Sequence, residues 1–269
     1  MSRSLYEKAR KIEKREWLAL AGLAAIVWLC FFYQLGGVPF LGKDEPRYAE
    51  VAREMFVTGD WITPRLAGHT WFEKPALPYW AMAAGYAVFG VSEGAARFGM
   101  ALMASMAVAV VYLMARRAAG PRLAGVAAAV LATSALWFAF ARGASFDMPL
   151  AATMAAALGC VYACDTAATA RARLGWAAGA GAWAGASMLA KGLAGPLLLG
   201  MIVVAYALAA GAWRRARVVK VTLAAVAFAA VAAVWYGPVW AVNGDAFVQE
   251  FFVDHHFKRY LTNRYHHPQ

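Results

Sequence analysis

The stretch 41–78, LGKDEPRYAEVAREMFVTGDWITPRLAGHTWFEKPALP, packs six acids and five bases between two apolar blocks. Charges this close to hydrocarbon are costly unless they are paired or put to use, because burying an unpaired ion costs several kcal/mol. Asp44, Glu45, Arg47, Glu73 and Lys74 come from this stretch. Later turns between apolar runs add Asp147 and Lys191, and the tail adds Asp254, His255, His256, Lys258 and Arg259. Asp44 and Asp147, from different loops, could orient or deprotonate an acceptor. Lys74, Lys191, Arg47 and Arg259 could hold an anionic group such as a phosphate. Glu73 with His255 or His256 could ligate a divalent metal.

Each of these residues also has a plainer role open to it. Asp44 could be the N-cap of the helix that follows, and Asp147 could cap the next apolar run. Lys191 lies between two runs, where a lysine can snorkel to headgroups. Glu73 and Lys74 could form a local pair on a solvated loop. Against that pairing, Pro75 disfavours helix at Lys74, and an extended chain would send the two side chains to opposite sides. His69 has no partner in sequence.

The elements that must position these residues are membrane helices. Of 269 residues, 62% are hydrophobic and only 15% charged, against roughly 45–50% and about 25% in a soluble domain. Charge-free runs at 17–42, 98–115, 123–141, 148–164, 174–190, 192–213 and 221–244 have bilayer length. The net charge of +11 resides in clusters: Arg3 to Arg15, then Arg116, Arg117 and Arg122, then Arg171 and Arg173, then Arg214 to Lys220. That alternation is the positive-inside pattern and argues against nucleic-acid binding. It places residues 1–16 in the cytoplasm, the first loop 42–97 and the tail 243–269 in the periplasm, and gives seven crossings. The apolar stretch 75–92 is then one too many. It reads as a helix on the outer membrane surface, with Trp71, Tyr79 and Trp80 at the interface.

Within the first loop, 44–57 reads as an amphipathic helix. Tyr48, Val51, Ala52, Met55 and Phe56 form its apolar stripe, and the Thr58-Gly59 step ends it. The fold class is thus an all-α integral membrane module with amphipathic helices beside the membrane. Gly181 and Gly185 are spaced for close helix contact, and Cys30, Cys160 and Cys164 read as packing residues.

The segments Asp44-Glu45-Pro46-Arg47-Tyr48-Ala49-Glu50 and Phe72-Glu73-Lys74-Pro75-Ala76-Leu77-Pro78-Tyr79-Trp80 resemble the first outer loop of bacterial aminoarabinose transferases. These are GT-C membrane glycosyltransferases, grouped with the dolichyl-phosphate-mannose protein mannosyltransferases. Phe146-Asp147-Met148-Pro149-Leu150, Lys191-Gly192 and Asp254-His255-His256-Phe257-Lys258-Arg259-Tyr260 follow in the order the family has. The resemblance implies a bacterial inner-membrane enzyme acting on the periplasmic side. It would take a sugar from an undecaprenyl-phosphate donor and transfer it to an acceptor such as lipid A or a protein. By resemblance Asp44 and Asp147 are the active-site carboxylates. Arg47, Tyr48, Lys74, Lys191 and Arg259 would bind substrate. Glu73 and His256, the histidine preceding Phe257, would match a zinc pair. Family members are longer, so the resemblance implies that residues 1–269 are a transmembrane module that is either a piece of a larger protein or a minimal relative.

Two other classes remain as alternatives, besides a protein O-mannosyltransferase-like enzyme. A lipid-sugar transporter predicts ionisable residues inside spans, whereas here the charges gather at the ends. A non-catalytic assembly subunit predicts that Asp44 is dispensable.

Overall fold

A computed structural model of the chain describes residues 14–211, 218–251 and 253. In chain order the elements are α1 (Lys14–Val27), a π-helical turn (Trp28–Phe32), α2 (Asp44–Thr58), β1 (Arg65–Leu66), β2 (His69–Thr70), α3 (Leu77–Phe89), α4 (Glu93–Ala119), α5 (Pro121–Thr133), α6 (Ala135–Ala141), α7 (Asp147–Thr166), α8 (Ala170–Lys191), α9 (Ala194–Ala209) and α10 (Val218–Phe247). The fold is all-α apart from the two-residue antiparallel hairpin β1–β2, and it is that of a multi-pass membrane protein. α4, α7 and the segment Val218–Phe251, kinked at Gly244, are each long and apolar enough to cross a bilayer. α5 and α6 together make a fourth such unit, bent by 65° at Ser134. Their outward faces stay apolar, with Leu113, Val130, Met201 and Val234 all exposed.

The apolar runs and the helices correspond, with corrections at the ends. The run 17–42 is helical only from Glu16 to Phe32, and among its described residues the run 192–213 is helical only from Ala194 to Ala209. The run 123–141 breaks into α5 and α6 because Ser134 adopts an extended conformation. α7 packs against α4 and α8, and α8 against α10. At Gly181 an added Cβ would lie 2.0 Å from the Ala224 carbonyl oxygen, and at Gly185 it would lie 2.7 Å from that of Phe228. Those two glycines let α8 and α10 touch backbone to backbone.

α3 belongs to the first loop, as expected, but its Tyr79 packs into the core and not at an interface. Its thirteen residues span about 20 Å, short of a bilayer, and it packs between α2 and α4. Tyr79 and Met82 are fully buried. Likewise, the apolar stripe of α2 faces inward rather than lying on lipid: Tyr48, Val51, Ala52 and Met55 join the main core. Gly59, at φ 71°, ends α2 as the Thr58-Gly59 step predicts.

Candidate active site

The first turn of α2 carries Asp44, Glu45, Arg47 and Tyr48, and these side chains part in different directions. Glu45 turns inward, where its carboxylate accepts from Arg97 Nε and Nη2 at 2.9 and 2.8 Å. It also accepts from the backbone N–H groups of Leu41 and Ala144, both at 2.6 Å. Arg97, 3% exposed, gives its remaining donors to the carbonyls of Leu35, Val38 and Pro39. Burial alone would push the Glu45 carboxyl up; Arg97 and the two N–H groups outweigh it and hold it below the ordinary carboxylate value. This pair fastens α2 to the start of α4 and to the turn at Ala144, three residues before Asp147. Sequence reasoning gave neither residue a role. The available signal was Arg97, a charge at the mouth of an apolar run that needs a partner.

Asp44 is not the N-cap of α2; that position is Lys43, and no side chain caps it. Instead the Asp44 carboxylate, 55% exposed, takes a hydrogen bond from Arg47 at 2.6 Å. The Arg47 guanidinium also faces Glu73 at 3.7 Å and lies 5.4 Å from the rings of both Tyr48 and Trp71. Lys74 Nζ is 3.4 Å from the other Glu73 oxygen. The expectation that Glu73 and Lys74 point apart is therefore wrong. The chain bends at these two residues instead of running extended, and the bend brings both side chains to one side.

Asp147 opens α7 without capping it, and its carboxylate accepts from Lys191 Nζ at the end of α8. Lys191 thus meets Asp147 across two connections instead of snorkelling away alone. Between the two carboxylates stands an aromatic cluster. The Tyr48 ring, one turn after Asp44, packs edge-on to Phe146 at 4.6 Å, and Tyr79 packs on Phe146 at 5.1 Å. Burial, with Glu73 and Asp44 beside it, pushes the Tyr48 phenol up to about 12, so it stays neutral and able to donate a hydrogen bond. Around the same cluster, Arg47 Nε, Trp71 Nε1, Tyr79 OH and Ser145 Oγ are buried without a well-formed hydrogen bond, Trp71 Nε1 and Tyr79 OH facing each other. Buried polar groups are nearly always satisfied, so Arg47 Nε and Ser145 Oγ, left over in one neighbourhood, mark a place for a polar ligand.

The described residues do not fit a metal. Among them no group of three His, Cys, Asp or Glu residues could hold one, and Glu73 is already engaged by two cations. His256, the other member of the zinc pair, lies outside the described residues, as do His255 and Arg259. No step below is routed through a metal.

A helical membrane bundle that gathers two carboxylates, several cations and an aromatic cluster at one end has the form of a GT-C transmembrane module. The chain belongs to the dolichyl-phosphate-mannose-protein mannosyltransferase family, whose profile matches residues 73–236. Among curated proteins it is 33% identical over 193 residues to an undecaprenyl phosphate-alpha-4-amino-4-deoxy-L-arabinose arabinosyl transferase of Edwardsiella ictaluri, covering 71% of this chain and 35% of that one. A second such transferase, from Pseudomonas fluorescens, is 32% identical over 232 residues, covering 84% and 39%. The structure of ArnT from Cupriavidus metallidurans bound to undecaprenyl phosphate superposes with a TM-score of 0.84 at 33% identity, covering 94% of this chain and 46% of that one. The protein O-mannosyltransferase complex of S. cerevisiae bound to its sugar donor shares the fold, with a TM-score of 0.62 at 17% identity. The chain therefore spans less than half the length of the relatives it matches.

Proposed function

We propose that this module serves a glycosyltransferase that moves a sugar, aminoarabinose by its relatives' names, from an undecaprenyl-phosphate donor to a periplasmic acceptor such as lipid A. The observation that carries this reading is the pair of orphaned polar atoms, Arg47 Nε and Ser145 Oγ, set between the Asp44–Arg47–Glu73–Lys74 chain and the Asp147–Lys191 pair. A phosphate there would satisfy donors that otherwise cost about 1–3 kcal/mol each. In the transfer, an acceptor oxygen bonds to the anomeric carbon as the bond from that carbon to the carrier phosphate breaks. The electron pair leaves with the phosphate, whose growing charge Arg47 and Lys74 stabilise. Where the acceptor is a hydroxyl, its proton passes to Asp44, the more exposed carboxylate, while Lys191 holds Asp147 in place to orient the acceptor. The basic clusters support a bacterial inner-membrane setting with this site on the periplasmic face. Glu73 would serve as the electrostatic spacer between two phosphate-binding cations rather than as a zinc ligand.

The test is Asp44→Asn and Asp147→Asn in the full-length protein, with sugar transfer to lipid A read by mass spectrometry. Loss of transfer with normal expression and membrane insertion is expected. Wild-type turnover by both variants would remove the catalytic reading and favour an assembly role.

A further inference from the structure

At the opposite end of α4 and α7 from the carboxylates, an apolar groove of about 220 Å³ opens between α4, α7 and α8. Val110 and Met114 of α4, Gly159 and Cys160 of α7 and Trp183 of α8 line it. Its floor is closed by glycine-mediated contact: a Cβ at Gly159 would lie 2.7 Å from Val110 Cγ1, so α4 and α7 approach closely there. Cys160 is thirteen residues into α7 from Asp147, about 20 Å along the helix, so the groove is separate from the site described above.

One cation stands at its mouth. Arg116 and Arg117 are neighbours in the last turn of α4, but their circumstances differ. Arg116 is held by Glu16, which also accepts from the Tyr112 hydroxyl. Arg117 has no acidic partner among the described residues; its guanidinium lies 5.8 Å from the ring of Trp176, itself 39% exposed. A planar cation over an interfacial tryptophan, above a groove lined by hydrocarbon, matches an anionic headgroup joined to an acyl chain.

We infer that this groove binds an anionic glycerophospholipid, its acyl chain between α4, α7 and α8 and its phosphate on Arg117. Charge decides against a second copy of the chain as occupant. The same end carries Arg116, Arg117, Arg122, Arg171 and Arg173, so apposing two such ends would set like charges together, whereas an anionic lipid neutralises them. The inference is independent of the transferase reading and would stand if that reading failed.

Native mass spectrometry of the full-length protein, with phosphatidylglycerol and phosphatidylcholine as probes, tests it. Phosphatidylglycerol should be retained in preference, and Arg117→Ala should weaken that retention about tenfold, the loss of one charge-assisted hydrogen bond. Because Arg117→Ala leaves Glu16, Tyr112 and Arg116 intact, folding should survive, and transfer activity should be unchanged. Independently, the photo-crosslinker p-benzoylphenylalanine placed at the exposed Leu113 should capture lipid. Equal retention of the two lipids, no effect of Arg117→Ala, or a crosslink from that position to another segment of the chain or to a second copy would each overturn the inference.

Discussion

Lys74 and Arg47 flank the Glu73 carboxylate from two sides, so the charge of one acid is shared by two cations. A carrier phosphate can be accepted by this trio without stripping either cation bare, because Glu73 compensates both in its absence. Lys74→Ala in the full-length protein should therefore abolish transfer and weaken carrier binding by roughly 1.5–3 kcal/mol, about ten- to a hundredfold, with the fold kept. Near-normal carrier affinity in a direct binding assay would show that Lys74 only balances Glu73. Glu45 makes a different prediction, because removing one partner of a buried pair costs about 3–5 kcal/mol. Its carboxyl is held below the ordinary value, so its contribution is fully present above the unfolded pKa and is lost as pH falls through the folded one. Melting temperatures of wild type and Glu45→Gln should differ most at pH 7 and converge on acidification below about pH 5. A gap that persists unchanged well below the ordinary carboxylate range would mean the charge is not what Arg97 needs. Asp44, Asp147 and Lys191 were legible as polar residues at the ends of apolar runs. Glu45–Arg97 was not, because the partners are 52 residues apart and nothing local says which of two adjacent acids turns inward.

Helices rather than loops fix where those residues go, and most of the helices could be read from the chain. Charge-free runs predicted α4, α7, α8 and α10 to within a few residues. The break at Ser134 was invisible because no glycine or proline marks it; the run 123–141 reads as continuous. The burial of α3 was also hidden, since an apolar stretch has the same composition whether it meets lipid or protein. The spacing of Gly181 and Gly185 did carry information, and it makes a test possible. Gly181→Leu must push α10 away, since its Cβ alone would lie 2.0 Å from the Ala224 carbonyl oxygen, whereas nothing lies within 4 Å of the same atom built at Gly200. Gly181→Leu should destabilise by at least about 1–3 kcal/mol, the ordinary cost of overpacking. Gly200→Leu, on an outward face, should be close to neutral. Equal melting temperatures for the two variants would show that α8 and α10 separate without cost.

Across the whole molecule, contacts between distant residues sort the helix ends into two groups. Glu16 meets Arg116, so the start of α1 and the end of α4 lie together. At the other end, Arg97 meets Glu45, Lys191 meets Asp147, and Asn243 of α10 donates to Thr63 of the first loop at 2.9 Å. Trp235 Nε1 likewise reaches the Ile62 carbonyl. Following the chain from end to end gives α1 with its π-helical turn, α4, the bent pair α5 and α6, α7, α8, α9 and α10, each running from one group to the other. We propose that these are seven passages, with the basic turns at 116–122 and 171–173 on the Glu16 side. α8 contains Arg171, Arg173 and Lys191, yet it packs between α7 and α10, so it must traverse the thickness they traverse. From the positive-inside rule we propose that the Glu16 end is cytoplasmic. In a cysteine-free background, a cysteine at Gly211 should react with a membrane-impermeant maleimide only after the cytoplasmic side is opened. One at Gly68, in the β1–β2 hairpin, should react in intact spheroplasts. Both sites have open space around them, so neither change should disturb packing; the cost is local, a cysteine held at φ 80° or 61°. If both positions label from one side, the number of crossings between them is not odd; if Gly211 labels from the periplasm and Gly68 only from the cytoplasm, the orientation is reversed. The two carboxylates would then still share an end of the bundle, but that end would face the cytoplasm or the crossing order would have to be redrawn.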